Sequence, residues 1–329
     1  MDKIIGLGNA LIDVLATLKD DTLLDELELP KGSMQLIDDA KLQQINTKFS
    51  QMKTHLATGG SAGNAILGLA CLGAGTGFIG KVGNDHYGDF FRKNLQKNNI
   101  EDNLLTSEQL PSGVASTFIS QDGERTFGTY LGAAASLKAE DLTLEMFKGY
   151  AYLFIEGYLV QDHEMILHAI ELAKEAGLQI CLDMASYNIV ENDLEFFSLL
   201  INKYVDIVFA NEEEAKAFTG KEPKEALGVI AKKCSIAIVK VGAEGSYIRK
   251  GTEEIKVSAI PVETVVDTTG AGDYFASGFL YGLTCGYSLE KCAKIGSILS
   301  GNVIQVIGTS MPQERWDEIK LNINRILAE

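Results

Sequence analysis

Residues 267–273 read DTTGAGD and bring two glycines and a carboxylate to the predicted start of a helix. The apolar, small-residue run at 274–282 that follows is typical of a buried helix. The first amides of a helix have no intrahelical acceptor and carry positive potential, so they suit a phosphate that comes close to the main chain. Asp273 could take a proton from an attacking hydroxyl beside that phosphate, or it could simply cap the helix.

A second glycine-rich stretch, residues 58–64 (TGGSAGN), precedes a predicted helix at Ala65–Leu72. Paired glycines let a ligand approach the backbone, whereas in an ordinary loop Ser61 would serve as a cap. Asp13 interrupts an apolar run, and a buried carboxylate needs a partner. It is either a capping or turn residue, or a carboxylate at the end of a strand that binds substrate hydroxyls.

Three further features have both a structural and a functional interpretation. Asn211 and Glu214 are spaced as a helix-capping pair, but Glu214 could also hold a Mg²⁺-bound water. The glycine turn at 242–245 forms either a plain hairpin or a passage beneath a nucleotide. Arg125 is either a solvated charge on a strand edge or a side chain that reaches a phosphate or substrate.

Two familiar phosphate-binding patterns fail in this chain. The run from Gly75 to Lys81 resembles a phosphate loop, but Val82 stands where a Mg²⁺-binding hydroxyl is required. The run from Gly6 to Leu11 lacks the third glycine of the dinucleotide fingerprint. Neither a Walker-type ATPase nor a nicotinamide-dependent oxidoreductase is therefore indicated.

From residue 150 onward, predicted strands and helices alternate, which indicates a parallel sheet covered on both faces. The predicted elements are strand Ala151–Ile155, helix Asp162–Ala176, strand Leu178–Met184, helix Glu191–Asn202 and strand Ile207–Ala210. Ligands of such sheets bind at the carboxyl ends of the strands. We expect Asp13, Glu156, Asp183, Asn211 and the glycine stretch at residue 59 to lie at such ends. A predicted hairpin at 113–131 does not fit the repeat and indicates an accessory sheet.

Composition narrows the classes of function. The chain has 329 residues, a formal net charge of −16 and no cluster of Lys or Arg, which argues against a nucleic-acid or anionic-membrane partner. The five cysteines form no C-x-x-C pair and lie mostly in apolar runs, as expected of buried thiols in a reducing cytoplasm. No apolar run reaches the ~18 residues of a membrane span, and no linker divides the chain, so residues 1–329 are predicted to form one domain.

Taken together, these motifs resemble the PfkB (ribokinase-like) family of ATP-dependent sugar and nucleoside kinases. The 267–273 segment resembles the C-terminal signature of the family. Residues 59–64, with 80–85 and Gly88, resemble its N-terminal signature region, and Asn211 with Glu214 resembles its Asn-x-x-Glu motif. The resemblance implies an α/β fold with three α/β/α layers, a mainly parallel central sheet and a small β-sheet lid from about 14–36 and 111–132.

The resemblance also implies roles for individual residues. The catalytic set is Asp273 as general base, with Gly270, Ala271 and Gly272 supplying the amides of an anion hole. The substrate-binding set is Asp13, Gly59, Gly60, Ser61, Asn64, Arg125 and Glu156. The nucleotide set is Asn211, Glu214, Lys240, Gly242 and Gly245, in which Lys240 replaces the usual hydroxyl residue. Mg²⁺ would contact Glu214 through water, and Asp267 and Thr269 are candidates for a monovalent cation such as K⁺.

The implied reaction is transfer of the γ-phosphate of ATP to a primary hydroxyl. Residues 8–13, 123–133 and 156–159 resemble members assigned as adenosine kinases, which favours a ribonucleoside acceptor. A free sugar, such as ribose, fructose or a keto-deoxy sugar acid, is the alternative, and a non-catalytic binding protein on the same fold is a remote one. The resemblance leaves open a monomer or a homodimer formed through the lid.

Overall fold

The computed structural model describes residues 1–328, which form two β-sheets and a set of covering helices. The strands are β1 Ile4–Leu7, β2 Leu11–Thr17, β3 Met34–Leu36, β4 Thr54–Gly59, β5 Thr76–Gly83, β6 Ile100–Ser107, β7 Gly113–Ile119, β8 Arg125–Tyr130, β9 Tyr152–Glu156, β10 Gln179–Asp183, β11 Ile207–Asn211, β12 Ile236–Lys240, β13 Ser246–Lys250 and β14 Glu253–Val257. The α-helices are α1 Thr22–Glu26, α2 Asp39–Phe49, α3 Ser61–Cys71, α4 His86–Lys97, α5 His163–Glu175, α6 Tyr187–Asn192, α7 Leu194–Lys203, α8 Glu212–Thr219, α9 Pro223–Ile230, α10 Ala271–Thr284, α11 Leu289–Val303 and α12 Gln313–Ala328.

The larger sheet has nine strands in the order β14-β13-β12-β11-β10-β9-β1-β5-β6. All neighbours pair in parallel except at β13 and β14, which extend one edge as an antiparallel hairpin. Successive residues along each strand point to opposite faces of the sheet and belong to different hydrophobic cores. Phe154 and Phe209 lie on one face, whereas Leu153 and Ile155 belong to the core on the other face. Helices cover both faces, so the three-layer α/β/α architecture with a mainly parallel sheet is confirmed.

The smaller sheet has five strands in the order β3-β8-β7-β2-β4, and we call it the lid sheet. It contains the predicted hairpin, as β7 and β8, and the strand segments of 14–36. It also contains β4, which had not been assigned to it, paired antiparallel with β2. The expectation that the stretch at residue 59 follows a strand of the parallel sheet is therefore wrong, because β4 pairs within the lid sheet instead.

Two predicted helices have different limits in the structure. The helix expected at Ala65–Leu72 begins at Ser61, because Gly60 turns the chain and residues 61–64 already form the first helical turn. The single helix expected at Glu191–Asn202 is two helices, α6 and α7, separated at Asp193, whose backbone (φ −123°, ψ 32°) is not helical. None of the helices within residues 1–328 has both the length and the apolar character needed to cross a bilayer.

Candidate active site

Four polar side chains end adjacent strands of the main sheet. Glu156, Asp183, Asn211 and Lys240 are the last residues of β9, β10, β11 and β12. Glu156 pairs in register with Asp183. Asn211 pairs with Lys240, and both lie two residues beyond the level of Asp183, which pairs with Phe209. The carboxyl edge of the parallel sheet is thus lined with charged and polar groups, where ligands of such sheets bind.

A cavity of about 1470 Å³ lies over this edge. Its other wall comes from the lid sheet and includes Leu11, Asp13, Met34, Leu36 and Phe127. Ligand sites of roughly 300–1,000 Å³ hold one drug-sized molecule, so this cavity has room for two ligands side by side.

The amino end of α10 opens into the cavity. Gly270, at φ 76°, turns the chain into the helix in a left-handed conformation that favours glycine. The Ala271 amide donates to the Thr268 carbonyl at 3.1 Å, whereas the amides of Gly270, Gly272 and Asp273 have no acceptor among the described residues. Three amides at the positive end of a helix are therefore available to an anion.

Asp273 stands in the first turn of α10 and lines the cavity. Its Oδ1 accepts a hydrogen bond from Ser61 Oγ at 2.7 Å, and its Oδ2 accepts one from Asn64 Nδ2 at 2.9 Å. Burial raises the pKa of Asp273 to about 6, while the two hydrogen bonds act in the opposite direction. The group is therefore ionised at neutral pH but basic enough to accept a proton.

The amino end of α3 holds these two donors in place. Gly60 (φ 86°) passes so close to the main chain that a Cβ there would lie 2.1 Å from the Asn9 carbonyl oxygen. Asn64 is buried, and its Oδ1 has no hydrogen-bond partner in the described part of the chain, although its Nδ2 donates to Asp273. That oxygen is an acceptor beside the base, suited to a substrate hydroxyl.

Asp13 lies in the middle of β2, in the lid sheet, and not at the end of a strand of the parallel sheet. The expectation was wrong because the chain crosses from β1 to the lid within residues 8–10. Asp13 nevertheless lines the cavity, and burial raises its pKa to about 7. A Cβ on Gly59 would lie 2.4 Å from Asp13 Oδ1, so the glycine makes room for this carboxylate.

Glu156 is enclosed by its own donors. Its Oε1 accepts from the Asn9 amide (2.9 Å) and from Asn9 Nδ2 (2.6 Å), and its Oε2 accepts from the Ala62 amide (2.9 Å). Burial raises its pKa to about 7 despite these bonds. Because three donors already engage it, the carboxylate links β9 to the start of α3 and borders the cavity as a positioning group.

Arg125, at the start of β8, reaches from the lid sheet to the loop before α10. Its Nη1 lies 2.8 Å from Asp267 Oδ2, and both side chains are largely buried. Asp267 also accepts hydrogen bonds from the Thr269 amide (3.1 Å) and the Gly308 amide (2.8 Å). These contacts engage both oxygens of the Asp267 carboxylate, and a monovalent cation at Asp267 and Thr269 stays a prediction.

Asn211 and Glu214 form a reciprocal capping box at α8. Both Glu214 oxygens accept hydrogen bonds from Asn211, and burial raises the pKa of Glu214 to about 7. The carboxylate lines the cavity, so it fits a contact to a metal-bound water better than direct ligation. Within residues 1–328 no three His, Cys, Asp or Glu side chains converge on a metal site.

The turn at Gly242 and Gly245 is the predicted hairpin, and its passage beneath a nucleotide stays a prediction. The two glycines join β12 to β13 in an antiparallel hairpin, and both border the cavity. Gly245 has φ 100°, and a Cβ there would lie 1.9 Å from the Val257 carbonyl oxygen, so only glycine fits.

Two groups of residues were not assigned to the site from the sequence. Asp183 was placed at a strand end without a role, yet its Oδ2 lies 2.9 Å from Lys240 Nζ. Met34 and Leu36 line the cavity and expose 53% and 67% of their surface. Their alternation around the exposed Gln35 is the signal of a strand with an apolar face.

Comparison with known proteins identifies the family. Residues 32–316 match the model of the pfkB family of carbohydrate kinases. The crystal structure of adenosine kinase from Sinorhizobium meliloti superimposes with a TM-score of 0.86 and 34% identity over 98% of this chain and 99% of that one. Adenosine kinase 2 of Arabidopsis thaliana is 26% identical, covering 94% of this chain and 96% of the relative. The 5-dehydro-2-deoxygluconokinase of Shouchella clausii is 27% identical over 80% of this chain and 85% of the relative.

The fold and these likenesses define a phosphotransferase whose acceptor is a hydroxyl group. The chain belongs to the pfkB family of carbohydrate kinases, a group of ATP-using sugar and nucleoside kinases, and the fold is ribokinase-like.

Proposed function

We propose that this protein transfers the γ-phosphate of ATP to the primary hydroxyl of a ribonucleoside that resembles adenosine. The observation that carries the proposal is the placement of Asp273 beside three unpartnered amides at the mouth of α10, facing the cavity. A base next to an anion site is the pair of functions that phosphoryl transfer to an alcohol requires.

In this reaction the acceptor oxygen bonds to the γ-phosphorus, and its proton passes to the Asp273 carboxylate. Ser61 and Asn64 hold that carboxylate in position. The amides of Gly270 and Gly272 donate hydrogen bonds to the phosphate oxygens and stabilise their negative charge. Asp13 accepts hydrogen bonds from acceptor hydroxyls on the lid side of the cavity. Glu214 would contact Mg²⁺ through water when the ion is bound with ATP, and the ion would supply further charge neutralisation.

The lid wall supports a nucleoside over a free sugar. Met34 and Leu36 are exposed apolar side chains directed into a cavity, and Phe127 and Leu131 extend the same wall. A nucleobase would cover this surface, whereas a free sugar would leave it in contact with water. A sugar-acid acceptor is the second candidate, and the similarity to 5-dehydro-2-deoxygluconokinase favours it.

The test is ADP release with adenosine, inosine, ribose, fructose, ketodeoxygluconate or no acceptor. We expect adenosine to give the highest kcat/KM and ATP turnover to depend on an acceptor. A higher value with a free sugar or sugar acid would transfer the assignment to the second candidate. ADP release that is independent of every acceptor would contradict the proposal.

A further inference from the structure

Lys240 is the one basic side chain among the residues described as lining the cavity, where eight others carry carboxyl groups. The polyphosphate of ATP is itself strongly anionic, so entering such a cavity requires positive charge from the protein or from a metal. Only the last residue of β12 provides a protein cation on this wall.

The ammonium group of Lys240 lies beside the amide site. A Cβ built on Gly272 would be 3.0 Å from Lys240 Nζ, so Nζ lies against the backbone whose N–H has no acceptor. An ammonium group has three donors, and Asp183 is its one hydrogen-bond partner in the described part of the chain. Two N–H bonds therefore remain for a ligand on the cavity side.

Asp183 is itself held in a defined position. Its Oδ1 accepts from the Ala185 amide at 2.9 Å, and its Oδ2 accepts from Lys240 at 2.9 Å. Ala185 has φ 64°, a left-handed conformation that is unusual for a residue with a Cβ. The side chains of Asp183 and Lys240 are 6% and 15% exposed, so the pair is built into the cavity wall.

We propose that Lys240 is a catalytic residue that contacts the transferred phosphoryl group beside the Gly272 amide, and that Asp183 is the positioning residue that holds it there. The inference rests on the proposed phosphoryl transfer. As the acceptor oxygen bonds to the γ-phosphorus, the bond from that phosphorus to the β–γ bridging oxygen breaks. ADP leaves with the electron pair, and the hydroxyl proton goes to Asp273. Lys240 donates hydrogen bonds to the equatorial oxygens and stabilises their negative charge.

The test compares Lys240→Gln, Asp183→Asn and the double variant with the wild-type enzyme, using ATP and the best acceptor of the panel. Lys240→Gln should lower kcat by about 10²–10³-fold, as loss of one anion-hole donor does, with little change in ADP affinity. Asp183→Asn should lower kcat less, and should cost nothing further when residue 240 is Gln. Lys232→Gln, a surface lysine outside the cavity, changes the net charge equally and should leave kcat unchanged.

The double variant carries the test if Lys240→Gln alone does not fold, because it replaces the ion pair by a neutral hydrogen-bonded pair. The inference is overturned if either folded variant keeps the wild-type kcat. It is also overturned if ADP and β,γ-imido-ATP lose affinity equally while kcat is unchanged, since Lys240 would then serve nucleotide binding alone. Acceptor-dependent ADP release by the wild-type enzyme tests the proposed function separately.

Discussion

At the scale of single residues, the environment of Asp273 sets both its charge and its direction. Burial raises its pKa, while Ser61 and Asn64 donate to its two oxygens and fix the carboxylate plane. A base used at neutral pH works best when its pKa is near but below the working pH. At neutral pH the Asp273 carboxylate is therefore mostly ionised, and it still has a useful affinity for the proton.

Replacing the base tests this assignment directly. Asp273→Asn keeps the size of the side chain but cannot accept the hydroxyl proton, so kcat should fall by about 10²–10⁴-fold. ATP affinity should not fall, because the substitution removes a negative charge that repels the phosphates. Steady-state kinetics with isothermal titration of ATP measures both quantities. Asp89→Asn, an exposed carboxylate in the first turn of α4, is the matched control, and near wild-type turnover of Asp273→Asn would refute the role.

The pH dependence of activity should report the same group. Protonation removes the base, so kcat/KM should fall as the pH drops below about 6, the raised pKa of Asp273. The decrease is toward acid because the carboxylate is the active form. Initial rates from pH 5 to pH 8 measure this limb. The component near pH 6 should be absent from the residual activity of Asp273→Asn, whereas Asp13, Glu156 and Glu214, whose pKa values burial raises to about 7, should still titrate. An acid limb centred near the ordinary aspartate pKa of about 4 would argue against the burial effect.

At the scale of elements, the amino ends of α3 and α10 meet so that each supplies part of one site. The contact depends on close packing of small residues, and Ser277 Oγ of α10 donates to the Ala65 carbonyl of α3 at 2.8 Å. Gly60 starts α3 at the point where the chain passes the Asn9 carbonyl. A Cβ on Gly68 of α3 would lie 2.4 Å from Ser277 Oγ of α10, so the spacing between the two helices has little tolerance for an added side chain.

A matched pair of glycine substitutions separates this close approach from backbone strain. Gly60 and Gly73 both have positive φ, 86° and 93°, but only Gly60 has an atom within 4 Å of an added Cβ. Gly60→Ala should lower the free energy of unfolding by about 1–3 kcal/mol more than Gly73→Ala, because the Asn9 carbonyl must shift. Denaturant unfolding of both variants measures the difference. Equal losses would show that the contact can relax at no cost.

Features encoded by neighbouring residues could be predicted from the sequence, whereas partners distant in the chain could not. The glycines and Asp273 at the start of α10, and the strand ends at Glu156, Asp183 and Asn211, follow from local patterns. Asp13 was misplaced because residues 4–17 read as one apolar run that hides the crossing between sheets. The Arg125–Asp267 pair joins residues far apart in sequence, so no local pattern indicated it.

At the scale of the whole molecule, two sheets enclose the site, and a buried ion pair connects the lid sheet to the loop that precedes α10. Arg125 of the lid sheet contacts Asp267, while Nη2 of Arg125 has no hydrogen-bond partner within residues 1–328. Burial lowers the pKa of the guanidinium, although neighbouring carboxylates oppose this. The lid sheet therefore contacts the loop before α10 through Arg125 and lines the cavity through its apolar wall.

The apolar lid wall provides the last prediction. Replacing Met34 and Leu36 together by serine should raise the KM for adenosine roughly tenfold, which corresponds to about 1.4 kcal/mol of lost apolar contact. The KM for ATP should stay unchanged, because the phosphate-binding groups lie on the opposite wall. Leu199→Ser, an exposed leucine (44%) on α7 outside the cavity, is the control for altered surface polarity. An equal rise in the KM for adenosine and for ribose would show that the wall does not contact a base. The identity of the acceptor would then have to be inferred only from the residues that contact its sugar.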